Sequence, residues 1–260
     1  MPALPAFPPA FYPVAIVAIL ITGISKGGFG QGAGGLAVPL MAMFIAPAEA
    51  AGIMLPILCA MDIFGVHAWR NAWSRHHVRA MLPGALVGIA LGGLAFGLLP
   101  ASAVRLLIGV IAITFALNGW FRFTERIARR LAMAHDRPPG ALAGSFWGGV
   151  SGFTSTLAHA GGPPFAIYML AQKVEKSVFV GTSAVFFLIV NYTKLVPYYF
   201  LGQLNAGNLA TALMFAPLAP LGVWLGVWIH RRMSQRAFVN VSFALLLATG
   251  AKLVWDAVGL

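Results

Sequence analysis

GISKGGFGQGAGGLAVP, residues 23–39, places six glycines in the nine residues after Lys26, between two apolar runs. Gly30, Gly32 and Gly35 have the spacing of a dinucleotide-binding fingerprint, G-x-G-x-x-G. That fingerprint needs a preceding strand, a following helix and β-α-β alternation around it. None of this alternation is present, and the chain continues as one long apolar run after another. The glycines therefore belong to a break between membrane helices, and the fold reading starts there.

The 260 residues are 60% hydrophobic and 9% charged, with a mean hydropathy of +0.86. A soluble domain carries about 25% charged residues. So much apolar surface requires lipid as the solvent. Apolar runs cover 12–25, 33–48, 50–69, 80–99, 102–121, 141–158, 162–171, 178–200, 207–229 and 237–256. Most approach the ~20 residues of a spanning helix. The runs 12–25, 33–48 and 162–171 are shorter and flank glycine-rich stretches. The N-terminal stretch lacks the basic segment and cleavage site of a signal peptide, so none is expected. Cys59, the single cysteine, offers neither a disulfide nor a thiolate metal site. No metal and no cofactor are expected.

The net charge of +11 is distributed by loop. Basic residues cluster at Arg70–Arg79, at Arg122–Arg137, at Lys173 and Lys176, and at Arg231–Arg236. Positive loops stay cytoplasmic. These loops lie between spans and lack any nucleic-acid-binding motif, so nucleic acid is not an expected partner. Contact with anionic headgroups of the bilayer is expected. The reading is a multi-pass protein of the cell (inner) membrane with both termini extracytoplasmic.

The chain repeats. Gly28-Phe29 is followed by Pro39, and Gly152-Phe153 by Pro163, at one spacing. Pro83 precedes Gly88 and Gly92 as Pro217 precedes Gly222 and Gly226. Loop charge, however, swaps sides: 70–79 is basic and 201–207 is not, whereas the turn near Pro100 is uncharged and 230–236 is basic. The prediction is an all-α polytopic membrane protein of two inverted-topology repeats. The first covers residues 1–121, the second 141–260, and a basic cytoplasmic linker, 122–140, joins them. Each repeat has a glycine-rich broken or re-entrant helix pair plus about three full transmembrane helices. Inverted repeats are typical of secondary transporters.

Irregular backbone at membrane depth must be buried or line a watery cavity. Gly27, Gly28, Gly30, Gln31 and Gly32 offer backbone amides there, the helix starting near Gly35 adds its dipole, and Lys26 adds a cation. The second break, STLAHAGGPP, offers Thr154, Ser155, Thr156, His159, Gly161 and Gly162. Two such breaks entering from opposite faces predict a midplane site for a small oxyanion.

KGGFGQGAGGLAVPLM and GFTSTLAHAGGPPFAIYML resemble the two signature segments of the TauE/SafE sulfite exporter family, and the resemblance extends over nearly the whole chain. It implies a membrane transporter for sulfite, organosulfonates or related sulfur-containing anions. An anion channel, or a transporter for another small anion or a carboxylate, is the alternative. An enzyme is not expected, since neither H-E-x-x-H nor G-x-S-x-G occurs. The chain is expected to work as a monomer or homodimer.

Among single residues, Lys26 reads as an anion ligand or as a cap on the preceding helix. His159 reads as an anion ligand, a proton carrier or a packed core residue. Asp62 reads as a proton site or the partner of a nearby cation. Asn191 and Lys194 share a helix face three residues apart and lie on a possible anion path, although Lys194 could also snorkel outward. Tyr198 and Tyr199 read as an interfacial belt. Gly88, Gly92, Gly222 and Gly226 read as close-packing faces.

Overall fold

The computed structural model describes residues 7–28, 34–133, 139–230 and 236–259, and every regular element among them is helical. The first half holds α1 (Phe11–Gly28), a 3-10 turn (Gly34–Leu36), α2 (Ala37–Met41), α3 (Pro47–Ala68), α4 (Arg75–Leu98) and α5 (Ala101–Phe121). After α6 (Phe123–Met133) come α7 (Ala141–Ala158), α8 (Gly162–Ala171), α9 (Lys176–Phe200), α10 (Ala206–Phe215), α11 (Leu218–His230) and α12 (Arg236–Val258). Among the described residues, five helices, α1, α3, α4, α5 and α9, are long and apolar enough to cross a membrane, and the pair α10–α11, bent by 43°, makes a sixth candidate. The bend falls at Ala216-Pro217, where proline cannot supply a backbone donor.

The arms at the two breaks are unequal. α1 and α7 have 18 residues each, about 27 Å of helix. α2 and α8 have 5 and 10, about 8 and 15 Å, and neither alone spans a ~30 Å hydrocarbon core. The apolar run 33–48 is thus not one helix: the 3-10 turn and α2 end at Met41, turns and a bend fill 42–45, and α3 begins at Pro47.

Helices of the two halves interleave. α1 packs along α11, α7 along α4, α3 against α9 and α5 against α12. Glycine makes the first two contacts possible. A Cβ on Gly88 would strike the Gly149 carbonyl, and one on Gly152 the Ala85 carbonyl. Across the other pair, a Cβ on Gly226 would strike the Ile24 carbonyl, and one on Gly23 would lie 2.8 Å from the Gly222 Cα. Without a hydrophobic drive between helices in lipid, such backbone approach is a main source of association. The opposite side of α4 turns Val87, Leu91, Leu94 and Leu98 outward, as a lipid-facing surface does.

The basic stretch after α5 carries a helix. Arg122 turns left-handed (φ 54°) and ends α5, and the Asn118 side chain accepts from the Thr124 amide at 2.7 Å, starting α6. Thr124 and Ala128, one turn apart, face α8, while Arg126, Arg129 and Arg130 are exposed. Phe123 and Ile127, exposed beside these arginines, give the helix an apolar face that suits the membrane surface.

Candidate functional site

The buried charged and histidine side chains, Lys26, Asp62, His159 and Lys194, gather where α3 and α9 meet the ends of α1 and α7. Lys26, in the last turn of α1, forms a buried ion pair with Asp62 Oδ1 on α3. The other carboxylate oxygen, Oδ2, accepts from Asn191 Nδ2 on α9 at 2.6 Å. Removing one partner of a buried pair costs about 3–5 kcal/mol, so this triad binds α1, α3 and α9 together. One carbonyl at this helix end is capped by another side chain: Trp69 Nε1 donates to the Gly27 carbonyl at 3.1 Å.

One turn along α9, Lys194 is fully buried and does not snorkel. Its Nζ lies 3.0 Å from the Ser155 carbonyl, 3.0 Å from Ser155 Oγ and 2.7 Å from His159 Nδ1. On the far side of the imidazole, Nε2 lies 3.1 Å from the Ala51 carbonyl. A carbonyl only accepts, so Nε2 carries the hydrogen and Nδ1 of the neutral ring is left to accept from Lys194. Three acceptors thus meet the three N–H bonds of an ammonium. None is a carboxylate, and among the described residues Lys194 has no ion-pair partner. The cation lies at the C-terminal end of α7, where the helix dipole is negative.

The break between α7 and α8 is built around His159, which adopts the left-handed conformation (φ 51°) and closes α7. Its amide and that of Ala160 bond back to Ser155 and Thr154 carbonyls at 3.0 and 3.3 Å. Ser151 Oγ donates to the Gly161 carbonyl at 2.8 Å and draws the far side of the turn onto α7. A Cβ on Gly161 would press on Ser151 and Phe187. Of the leading amides of α8, Pro163 and Pro164 supply none, and Phe165 gives its hydrogen to the Gly161 carbonyl. This N-terminus therefore offers Gly162 and a dipole rather than a row of donors, fewer than the glycine-rich sequence suggests.

The structure brings Lys26, Asp62, Ser155, His159, Asn191 and Lys194 into these two adjoining clusters. Gly27 and Gly28 are buried at the end of α1, against α11. Thr154 and Thr156 face differently: their hydroxyls donate back to the Val150 and Gly152 carbonyls at 2.9 and 2.8 Å. Gly30, Gln31 and Gly32 lie outside the described residues. Tyr198 corrects the aromatic-belt reading. It is fully buried, its hydroxyl donates to the Thr156 carbonyl at 2.6 Å, and its ring lies 6.0 Å from that of His159. Tyr199 is 70% exposed and fits that reading. The Ala51 carbonyl and Trp69 join the site with nothing in the sequence to mark them. Ser151, one turn before Ser155, is legible by its spacing.

No curated protein and no solved structure matches the chain. A family model, described as Sulfite exporter TauE/SafE, matches residues 15–253 of the 260. With several apolar helices and a match across nearly its full length, the chain is a multi-pass membrane protein belonging to the TauE/SafE sulfite exporter family of transporters.

Proposed function

We propose that the protein is a secondary transporter that exports a small sulfur-containing oxyanion, sulfite or an organosulfonate, across the cell membrane. The observation that carries this reading is Lys194: a fully buried cation with neutral partners, at a break between helices. Ionisable groups inside a membrane are costly and mark substrate paths. The anion binds at Lys194 and the Ser155 hydroxyl, which can turn to donate to an incoming oxygen, with His159 and Lys26 alongside. A cytoplasm-negative potential favours efflux of an anion by ~2.3 kcal/mol per charge per 100 mV.

The proposal includes the architecture. Residues 1–121 and 141–260 form inverted repeats joined by 122–140, with basic loops cytoplasmic and termini outside. Reciprocal packing of α1 on α11 and of α7 on α4 supports it, as does the contact of α3 with α9 and of α5 with α12. Flux of sulfite into proteoliposomes tests the function. Saturable flux, competed by sulfonates and lost in Lys194→Met, is expected. Parent-level flux in a correctly inserted Lys194→Met protein removes the site.

A further inference from the structure

The geometry points to selection by charge: Lys26, Asp62 and Lys194 together admit one negative charge, so the transported species is a monoanion, bisulfite or a sulfonate, and not the sulfite or sulfate dianion. Asp62 is the residue that sets this limit. The inference rests on the anion site proposed above and specifies the substrate that enters it.

The balance of charges in the two clusters leads there. Lys26 is already neutralised by Asp62, which is held in place by Asn191. Lys194 meets three neutral acceptors in the pattern an ammonium requires. His159 adds no charge, because its Nε2 hydrogen is spent on Ala51 and its Nδ1 accepts from Lys194. The remaining titratable neighbours of Asp62 are Cys59 on α3 itself and Tyr192 on α9. Lys194 thus keeps a buried positive charge that no acidic side chain among the described residues neutralises, offset only by the negative end of the α7 dipole. In a poorly screened interior, a monoanion cancels it, whereas a dianion leaves one negative charge facing Asp62 without a counterion.

Binding of three probes to purified wild-type protein tests this: methanesulfonate, a monoanion at every working pH; sulfate, a dianion; and sulfite, which changes between the two near neutrality. Calorimetric titration between about pH 6 and pH 8 is expected to give a flat methanesulfonate affinity and a sulfite affinity falling up to about tenfold per pH unit. Sulfate is expected to bind at least about tenfold more weakly than methanesulfonate. Asp62→Asn, which raises the site by one positive charge, is expected to bring sulfate level with methanesulfonate or beyond it. Wild-type protein that binds sulfate as tightly as methanesulfonate, or sulfite equally at both ends of the range, overturns the inference. So does methanesulfonate affinity that falls in step with sulfite, because a protein group then sets the profile. The wild-type titrations stand without the variant, so an unstable Asp62→Asn protein does not protect the inference. If folded wild-type protein binds none of the three, the proposed function falls and this inference with it; binding without discrimination strikes this inference alone.

Discussion

Asn191 Nδ2 donates to Asp62 Oδ2 at 2.6 Å, joining α3 to α9 between residues 129 positions apart in the chain. That separation lies between the 124 of Gly28 and Gly152 and the 134 of Pro83 and Pro217, the two offsets of the proposed internal repeat. Asp62 and Asn191 thus stand where corresponding residues of two repeats would meet. One bears a carboxylate, which pairs with Lys26, and the other an amide, which donates to it.

This arrangement makes the triad's energetics testable. Asp62→Leu leaves the Lys26 ammonium buried without its partner and is expected to destabilise the protein by about 3–5 kcal/mol. Asn191→Leu leaves Asp62 Oδ2 without its donor and is expected to cost about 1–3 kcal/mol. The double variant Lys26→Met, Asp62→Leu removes both charges and is expected to recover most of the loss. Thermal unfolding in detergent, read as a double-mutant cycle, checks all three. A double variant as unstable as the sum of its singles would show that Lys26 and Asp62 do not act as a pair.

Tyr198 and Tyr199 separate core from interface within two adjacent residues. Tyr198→Phe removes the hydroxyl that meets the Thr156 carbonyl and leaves that buried acceptor unpaired, at about 1–3 kcal/mol. Tyr199→Phe removes an exposed hydroxyl and is expected to change stability by less than about 0.5 kcal/mol. Equal unfolding temperatures for the two variants would refute the difference.

The glycines of α4 and α7 give a steric prediction with an internal control. Gly88→Ala forces a methyl against the Gly149 carbonyl and the Phe153 amide, which are backbone and cannot swing aside. It is expected to cost about 1–3 kcal/mol or more, as overpacking does. At Gly140, before α7, nothing lies within 4 Å of an added Cβ, and φ is an ordinary −77°. Gly140→Ala is expected to be neutral or slightly stabilising. Monodispersity and unfolding temperature of the two purified variants decide the matter.

The fold class is legible in the sequence because apolar run length and glycine placement are local properties. Lys26, Asp62 and His159 stand out because ionisable groups are rare inside apolar runs. Their pairing is not legible. The acceptors of Lys194 come from α7 and its terminal turn, 35–39 residues away, so its distance from its own helix end misleads. Tyr198 misleads for the same reason: an aromatic near a helix end is interfacial only if no other helix covers it, and α7 does. α6 is hidden by its arginines, although Thr124 and Ala128 against Arg126, Arg129 and Arg130 already show a helical period.

Inverted topology gives the last prediction. Asn71, exposed between α3 and α4 and flanked by Arg70 and Arg75, belongs to a loop that the proposed topology places in the cytoplasm by its positive charge. Ala206, exposed at the start of α10 in the corresponding but uncharged loop, lies outside in the proposed topology. In a Cys59→Ala background, which removes the buried native thiol, Asn71→Cys is expected to resist a membrane-impermeant maleimide applied to intact cells and to react after the membrane is opened. Ala206→Cys is expected to react in intact cells. Two halves of the same orientation would place both thiols on one side. Because each half must cross an odd number of times for the labels to separate, the experiment reads parity directly, whether α1 and α7 cross fully or turn back at their glycine breaks.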